Sequence, residues 1–558
     1  WYTKAGADIT QTNYKNRRPV LRMYSYRTGE FQGNLDNIGS EQLIHRMGNT
    51  QHYTIFSHLN YQKTIFEDHN FGLMVGASQE TDAFEVLGGT RRGFASPSLD
   101  VLSGAPSAGQ TNEGSLDEFV LRSTFGRFTY NYKSKYLFEA NFRRDGSSRF
   151  SEDNRYGFFP SFSAGWRVSE ENFLKGSSDW LTNLKLRFSY GKMGNDLVGL
   201  YPYQSVLALG QDYPLGSDLQ GGAVKVALSN PNIRWEETEI TDIGLDLSLW
   251  GSLFNMTFDY YDKTTDGILR LAQLPSTSGL LPPFVNEGVV NNKGFELILG
   301  HQNKIGEVSY GANFNFSRYR NKLVEFGTRT FDTNSFIEGK EMNRYFMYQD
   351  DGIYQNQAEI DNGPTPRWPA KPGDIRFKDV DGDGAITPDD RVDVDGVNPD
   401  FFYGLELSAQ WKGFDVSAFF QGEKGRKVLV NNQWSLVLPF SVHGANPITW
   451  WDDSWTIDNP STTKPRALAY SAPEGQSIKE PSTFWLRNTS YMRLKNLSIG
   501  YTLPSNIMDD LFLDSVRLFV NAENLMTFSK FEFGDPERPG DNLYPVFRTL
   551  TMGATIKF

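Results

Sequence analysis

The chain has 558 residues, with 55 Lys and Arg against 67 Asp and Glu, and a formal net charge of −12 at pH 7. An acidic chain lacks the basic surface that neutralises a phosphate backbone, which argues against nucleic acid as a partner. The chain has no cysteine, which excludes a disulfide framework, a thiolate metal site and a cysteine nucleophile.

Only strands could carry this sequence across a membrane. No uninterrupted apolar run approaches the roughly 18 residues that a spanning helix needs. Aromatic residues make up 14% of the chain and glycine is abundant, with 52 residues. Lipid-facing aromatic girdles around a polar lumen produce such a mixture. A secreted all-β carbohydrate-active protein would have a similar composition, so both classes stay open at this point.

The recurrent pattern along the chain is alternation of apolar and polar residues, which is the period of a β-strand. In chain order, the clearest alternating segments are 162–168, 184–190, 243–249, 254–260, 516–522 and 549–558. In the last segment, Leu550, Met552 and Ile556 share the apolar face. The many charges on the opposite faces indicate water rather than a sandwich core. A soluble antiparallel sheet with one wet face gives the same alternation, so the connections must decide.

The connections alternate between short and long when Phe558 is placed at the periplasmic end. The predicted connections on that side are 132–135, 250–252, 303–306, 411–414 and the longer 504–514. Those predicted on the other side are 83–117, 193–232, 265–288, 327–400, 432–490 and 531–546. Short periplasmic turns with long extracellular loops are typical of outer-membrane barrels. The sequence therefore predicts an all-β fold, a transmembrane antiparallel β-barrel with about 16 strands in this chain and long extracellular loops.

A series of segments combines a barrel strand with turn residues in a fixed order. They are FRRDGSSRF at 142–150, FFPSFSAGWR at 158–167, LKLRFSYG at 184–191, NEG at 286–288 followed by NNKGFE at 291–296, and LKNLSIGYTLP at 494–504. In this order they resemble the SusC/RagA family of TonB-dependent outer-membrane transporters. The resemblance covers nearly the whole chain.

The resemblance implies a barrel of about 22 strands that is closed inside by a plug domain. Residues 1–558 would be the C-terminal part of that barrel, since no segment resembles the plug domain or the TonB box. It further implies a SusD-like surface lipoprotein as a lid, energy from TonB–ExbBD, and import of oligosaccharides or peptides. The location would be the outer membrane of a Gram-negative bacterium, in contact with the lipid bilayer and lipopolysaccharide. The terminal Phe558 suits recognition by the barrel-assembly machinery.

Residues 379–390, inside the predicted 327–400 loop, match an EF-hand-like calcium loop. Hard cations take six to eight oxygen ligands, and alternate residues of a tight loop turn their side chains inward. The predicted ligands are Asp379, Asp381, Asp383, the Ala385 carbonyl, Thr387 and Asp390. The last of these is an aspartate where the motif prefers glutamate. We expect a structural calcium ion that rigidifies the loop, and the alternative is an acidic turn stabilised by its own side-chain to backbone hydrogen bonds.

The predicted 432–490 loop is rich in tryptophan. Trp434, Trp450 and Trp451 are candidates for ligand binding, because flat aromatic faces stack on sugar rings or clamp a protein lid. The alternative is that the tryptophans form a small core of the loop itself, since a loop of this length must pack to be ordered.

No catalytic constellation stands out in the sequence. The six histidines show neither metal-ligand spacing nor a neighbouring nucleophile motif, and no phosphate-binding loop is present. We therefore expect a transporter and not an enzyme. The alternative function is that of a secreted or surface all-β protein that binds or hydrolyses glycans through the tryptophan-rich loop.

Overall fold

A computed structural model shows a chain that consists mainly of strands and their connections. The structure describes residues 1–34, 41–96, 98–177, 179–216, 218–326, 329–330, 334–430, 451–468, 475–504, 513–539 and 546–558. Within these ranges, the helices are too short or too polar for any of them to cross a bilayer.

Sixteen long strands form one sheet in the described part of the chain. Their bounds are β1 Tyr2–Arg18, β2 Gln42–Ile65, β3 His69–Arg92, β4 Thr111–Tyr132, β5 Tyr136–Ser147, β6 Tyr156–Arg167, β7 Leu181–Asn195, β8 Glu236–Leu249, β9 Phe254–Asp266, β10 Val289–Ile305, β11 Val308–Glu325, β12 Phe401–Trp411, β13 Phe414–Lys424, β14 Tyr491–Thr502, β15 Ser515–Ser529 and β16 Thr549–Lys557. The strands follow one another in this sheet in the order of the sequence, with β1 and β16 at its two ends. The predicted all-β class and strand number are confirmed.

The connections contain shorter elements. The shorter strands are Arg22–Tyr24, Phe31–Asn34, Leu207–Leu209, Tyr213–Leu215, Asp218–Gln220, Ala223–Lys225, Leu269–Leu271, Phe284–Asn286, Arg329–Thr330, Asn334–Phe336, Arg344–Tyr348, Asp350–Ile353, Ile375–Phe377, Arg391–Val394, Lys427–Leu429 and Leu486–Asn488. The α-helices are Gln357–Asp361 and Gln476–Lys479. The 3₁₀ turns are Leu102–Gly104, Glu152–Asn154, Val168–Glu170, Asn172–Ser177, Ser276–Ser278, Pro388–Asp390 and Thr483–Trp485.

These elements group into two compact units. The first unit comprises Trp1–Ala164, Tyr190–Glu239 and Thr265–Glu287. The second unit comprises Gly165–Ser189, Ile240–Thr264 and Gly288–Phe558.

In the first unit, β1 to β5 pair antiparallel in chain order. The hairpin of β2 and β3 is paired without a break from Gln42↔Arg92 to Ile65↔His69. A buried cluster in the same unit joins β6 and the connection before it to the loop that follows β7. Its members are Phe150, Phe159, Val198, Ile233 and Trp235.

In the second unit, β10 to β16 also pair antiparallel in chain order. The backbone N–H of Thr502 donates to the Gly413 carbonyl, and that of Asp514 donates to the Lys557 carbonyl, both at 2.8 Å. These bonds place the 412–413 turn and Asp514, where the connection from β14 ends, at the same end of the strands as the chain terminus. The predicted assignment of these two connections to the end of Phe558 is therefore confirmed.

The short turns use left-handed backbone conformations. Lys412 and Gly413 have φ values of 46° and 85°, and Lys133 and Ser134 have φ values of 53° and 54°. Two consecutive residues with positive φ match the right-handed twist of the flanking strands in a tight hairpin. The turns at 133–135 and 412–413 are consequently as short as the sequence predicts, and the turn at 306–307, with Gly306 at φ 59°, is equally short.

Two details of the connections differ from the sequence prediction. The loop predicted at 83–117 is confined to 93–110, because β3 continues to Arg92 and β4 begins at Thr111. The tight turn at 66–68, between β2 and β3, is not predicted at all. Pairing between strands needs only a backbone partner, so β3 and β4 continue beyond the length that a bilayer requires.

Candidate calcium loop and loop core

The long connections of the second unit pack on one another around a buried hydrophobic cluster, here called the loop core. Its buried members are Tyr348, Ile353, Ile375, Phe377, Ile386, Val430, Trp451, Trp455, Ile478, Phe484, Trp485 and Phe533. Trp485 is fully buried, and its indole Nε1 donates to the Ile478 carbonyl at 2.8 Å. Large aromatic side chains with a satisfied polar atom therefore order these loops.

The candidate ligand-binding tryptophans divide into two groups. Trp434 and Trp450 lie outside the described residues. Trp451 lies in the loop core with 5% of its surface exposed, and its ring centroid is 6.4 Å from that of Trp485. A side chain so buried has no free face for a sugar ring, which favours the packing alternative for Trp451.

One ion pair fixes the segment 451–468 to the loop that follows β11. Asp374 is fully buried, and Arg466 Nε and Nη2 donate to its Oδ1 and Oδ2 at 2.6 and 3.2 Å. Gly373 has φ +92°, and a Cβ there would lie 2.5 Å from the Trp455 ring. This contact is not predicted from the sequence. Pro372, Gly373 and Asp374 indicate a turn, but nothing local points to an arginine 92 residues further along the chain.

The predicted calcium loop brings three carboxylates together. One oxygen atom from each of Asp379, Asp381 and Asp383 lies within 4.8 Å of the others. In the described ranges, this is the single group of three or more acidic or histidine side chains within reach of one ion. Gly382 and Gly384, with φ of 78° and 85°, supply the sharp bend between them.

Local hydrogen bonds and repulsion both act on these carboxylates. Gly382 and Gly384 N–H groups donate to Asp379 at 2.7 and 2.9 Å, and Ala385 N–H donates to Asp383 at 2.8 Å. The backbone hydrogen bond from Asp383 lowers the pKa of Asp381, but desolvation and the neighbouring carboxylates outweigh it and raise that pKa above its usual value. The cluster therefore has the charge that a divalent cation would neutralise.

The remaining predicted ligands have local roles in the structure. Asp390 is fully buried, and its two oxygens accept from the N–H groups of Val380 and Thr387 at 2.6 and 2.7 Å. The Thr387 hydroxyl accepts from Asp389 N–H at 3.1 Å, and Thr387 and Asp390 form a capping box around the 3₁₀ turn Pro388–Asp390. Ala385 forms a parallel bridge with Thr365. Ligation by Ala385, Thr387 and Asp390 stays a prediction.

Asp393 lies in the same loop between β11 and β12 as the calcium motif, and it accepts hydrogen bonds from three side chains. Ser335 Oγ donates to Asp393 Oδ1 at 2.6 Å, and Lys340 and Arg344 donate to Oδ2 at 2.9 and 2.8 Å. Burial by itself would raise the pKa of Asp393, but these hydrogen bonds outweigh it and hold the pKa below its usual value. Asp393 therefore ties together three parts of the loop between β11 and β12.

The last strand has the two faces that its sequence predicts. Leu550, Met552 and Ile556 are all exposed, and the register pairs Met552 with Val520 and Ile556 with Val516. The apolar faces of β15 and β16 thus lie side by side. Phe558 follows β16 and is 91% exposed. Its role in barrel assembly stays a prediction.

A long antiparallel meander with an apolar face and a polar face defines the class of the protein as a membrane β-barrel. The family model described as "TonB dependent receptor-like, beta-barrel" matches residues 2–525. The chain belongs to this family. The family comprises outer-membrane β-barrels of Gram-negative bacteria, so the predicted location is confirmed.

Curated relatives support the same assignment. "TonB-dependent receptor P3" of Formosa agariphila is 33% identical over 91% of this chain and 52% of that protein. "TonB-dependent receptor SusC" of Bacteroides thetaiotaomicron is 27% identical over 79% of this chain and 44% of that protein. The chain spans about half the length of the curated relatives that it matches. These relatives are receptors and transporters rather than enzymes, which is consistent with the sequence prediction.

A solved structure shares the fold over the whole chain. A chain described under "Structure of the RagAB peptide transporter" superposes with a TM-score of 0.82 and 24% sequence identity. The match covers 100% of this chain and 60% of that chain. This agreement confirms the fold, and the family model together with the SusC relative confirms the predicted SusC/RagA resemblance and sets aside a secreted all-β protein.

Proposed function

We propose that this chain is the barrel wall of an outer-membrane importer that takes up oligosaccharides or peptides as the SusC-like component of a two-protein complex. The observation that carries the proposal is the family match over residues 2–525. The strands support it, because one face is apolar and the other is polar enough to line a water-filled path. The name of the RagAB structure supports peptides for that protein, and the resemblance to SusC-type transporters keeps oligosaccharides as the second cargo class.

The proposed partners are a SusD-like surface lipoprotein as the lid and TonB–ExbBD as the source of energy. The loop core supports a lid on the side of the long connections, because ordered loops present a constant surface to a partner. Energy coupling belongs in this proposal to the plug domain and TonB box of the complete transporter, which we expect outside residues 1–558.

The experiment is an in-frame deletion of the gene in its source bacterium, with uptake measured for fluorescent oligosaccharides and fluorescent peptides. We expect uptake of one cargo class to be lost on deletion and to be lost equally when TonB is removed. A deletion strain that takes up every compound at the parental rate would contradict the proposal. So would uptake that depends on this gene but not on TonB, which would indicate a passive pore.

We further propose that the loop at 379–390 holds a structural calcium ion. The three clustered carboxylates of Asp379, Asp381 and Asp383 support it, and Asp390 stabilises the bend through the backbone. Ca²⁺ suits an all-protein oxygen site better than Mg²⁺, which prefers to keep several waters. The ion would fix the loop between β11 and β12.

The calcium test measures protection of this loop from protease in the full-length protein, with Ca²⁺, with Mg²⁺ and with a chelator. We expect Ca²⁺ alone to slow cleavage, and D379N/D383N to abolish that effect. Asp389 is the matched control, because it is an exposed aspartate of the same loop outside the cluster. A D389N protein that loses the calcium effect as fully as D379N/D383N would contradict the assignment.

A further inference from the structure

One face of β11 changes from apolar to cationic part of the way along the strand. Side chains alternate between the two faces of a strand, so every second residue shares a face. The first members of this face are Val308, Tyr310, Ala312, Phe314 and Phe316, and the next three are Arg318, Arg320 and Lys322. The opposite face carries polar residues such as Asn313, Asn315 and Ser317. The apolar and cationic residues therefore lie on the face that contacts lipid in a barrel.

The neighbouring strands extend this arrangement. The register pairs Phe295 of β10 with Arg318 and Lys293 with Arg320, so Lys293 joins the cationic group. Below it, the rings of Phe258, Phe295, Phe316 and Phe401 form a row across four strands, with successive centroids 6.1, 5.7 and 5.2 Å apart. We call Lys293, Arg318, Arg320 and Lys322 the cationic stripe.

The position of the stripe along the strand matches the edge of a bilayer. Residues 308–317 of β11 separate the turn at 306–307 from Arg318. About ten residues of a tilted strand cross the hydrocarbon core, and aromatic girdles mark its boundaries. With the short turn in the periplasm, the stripe lies at the level of the outer-leaflet headgroups.

Among the described residues, carboxylates pair with two of the four cations of the stripe and not with the other two. Arg320 donates to Asp400 and lies 3.4 Å from Glu341, while Lys293 lies 2.9 Å from Asp262. Arg318 and Lys322 are both exposed, and in the residues that the structure describes neither has an ion pair. Exposed cations on a lipid-level face, in a chain with a net charge of −12, complement an anion that comes from outside the protein.

We propose that the cationic stripe binds the phosphate groups of an outer-leaflet glycolipid whose acyl chains pack on the aromatic row below. Arginine guanidinium groups bind phosphate oxygens in a bidentate manner, and lysine adds a point charge. The continuity of cations and aromatic rings favours a lipid over free phosphate, which would use only the cations. The proposal requires the barrel to be embedded in a membrane but depends on neither the cargo nor the lid of the importer.

The test uses the full-length protein that contains this barrel, delipidated in mild detergent and titrated with lipid A, a phosphorylated and acylated diglucosamine. Bound lipid is counted by native mass spectrometry. A cationic side chain at the membrane surface contributes about fivefold to the binding of an anionic lipid, so R318A/K322A should bind lipid A about 25-fold more weakly. The charge-conserving R318K/K322R should retain most of the binding.

The control for a general loss of charge is K304A/K412A, which removes two cations near the periplasmic turns, Lys304 at the end of β10 and Lys412 in the turn after β12, and should leave lipid A binding unchanged. Heat-modifiable mobility on a gel reports whether each variant is folded. If R318A/K322A does not assemble, R318Q/K322Q replaces it, because glutamine keeps more of the side-chain length.

The outcomes separate the possible ligands. Weaker binding of lipid A by R318A/K322A, with phosphatidylcholine bound weakly by every variant, supports the proposal. Equal binding by wild type and R318A/K322A overturns it. Inorganic phosphate that binds as tightly as lipid A also overturns it, in favour of a free-phosphate site. An acidic protein that co-purifies with wild type but not with R318A/K322A overturns it as well, in favour of protein docking.

Discussion

The second unit has two regions, the paired strands β10 to β16, here called the wall, and the loop core. These two regions bury apolar surface in different ways. On β16, Leu550 and Met552 stay exposed by 67% and 83%, because the solvent for that face is lipid. In the loop core, Trp485 is fully buried by side chains from other loops. The wall therefore depends on the membrane, whereas the loop core depends on its own packing. Changes in the loop core should loosen the loops and leave the wall assembled.

The largest effect is expected from W485A. Truncating a fully buried tryptophan leaves a large cavity and removes the donor to Ile478, which costs about 4 kcal/mol in the stability of the loop core. We expect rapid protease cleavage of the loops, with unchanged heat-modifiable mobility of the barrel. Hydrogen exchange in the full-length protein measures both regions at once.

The matched change in the wall is W411A, since Trp411 at the end of β12 is half exposed. Its loops should resist protease as the wild type does. If W485A also abolished heat-modifiability, the loop core and the wall would be one cooperative structure, and the contrast between them would be wrong.

The difference between the two regions also explains what the sequence could predict. Alternation is a local property, so residues 516–522 and 549–558 were sufficient to place two strands with the correct faces. The loop core depends on contacts between distant residues, such as Trp455 Nε1 with Gln355 Oε1, which are 100 residues apart. A single sequence contains no local pattern for such pairs. The calcium motif is an intermediate case, because its spacing predicts the cluster of Asp379, Asp381 and Asp383 but not the capping role of Asp390.

The next largest effect is expected from R466A, which leaves the carboxylate of Asp374 buried without its partner. Removing one member of a buried ion pair costs about 3 kcal/mol, because the other charge stays desolvated. We expect the segment 451–468 to become protease-sensitive. The double variant D374A/R466A should recover part of the loss, since no lone charge remains in the interior.

The control for R466A is K464A. Lys464 pairs with Asp453 at 3.1 Å, but the Asp453 side chain is 80% exposed. Such a surface pair contributes under about 1 kcal/mol. Equal destabilisation by K464A and R466A would show that burial of Asp374 is not the source of the effect.

A smaller effect is expected from acid, through Asp393. Its pKa is lower in the folded loop than its ordinary value of 3.8, so the folded state binds fewer protons than the unfolded state. The resulting stabilisation is complete above that ordinary value and is lost as the pH falls through the lowered folded-state pKa. We expect D393N to cost about 2 kcal/mol at neutral pH, because it removes charge-assisted hydrogen bonds, and to flatten the acid dependence of loop protection.

The acid titration is followed by proteolysis of the loop between β11 and β12, with D453N as the control because that carboxylate is exposed. An unchanged acid dependence in D393N would assign the titration to other carboxylates of the loop.

The smallest effect distinguishes two glycines in the short turns of the wall. Gly306 and Gly413 both have positive φ, of 59° and 85°. At Gly306 no atom of the described residues lies within 4 Å of an added Cβ, whereas at Gly413 the Thr502 carbonyl oxygen would be 2.6 Å away. Backbone strain alone should lower the free energy of unfolding of G306A by about 1 kcal/mol. We expect G413A to lower it by about 1 kcal/mol more, because its Cβ also meets the Thr502 carbonyl. The temperature at which heat-modifiability is lost in the full-length protein measures the difference. Equal temperatures for the two variants would show that the 412–413 turn moves away from β14 freely, and that the wall tolerates disorder at its turns more readily than the loop core tolerates a cavity.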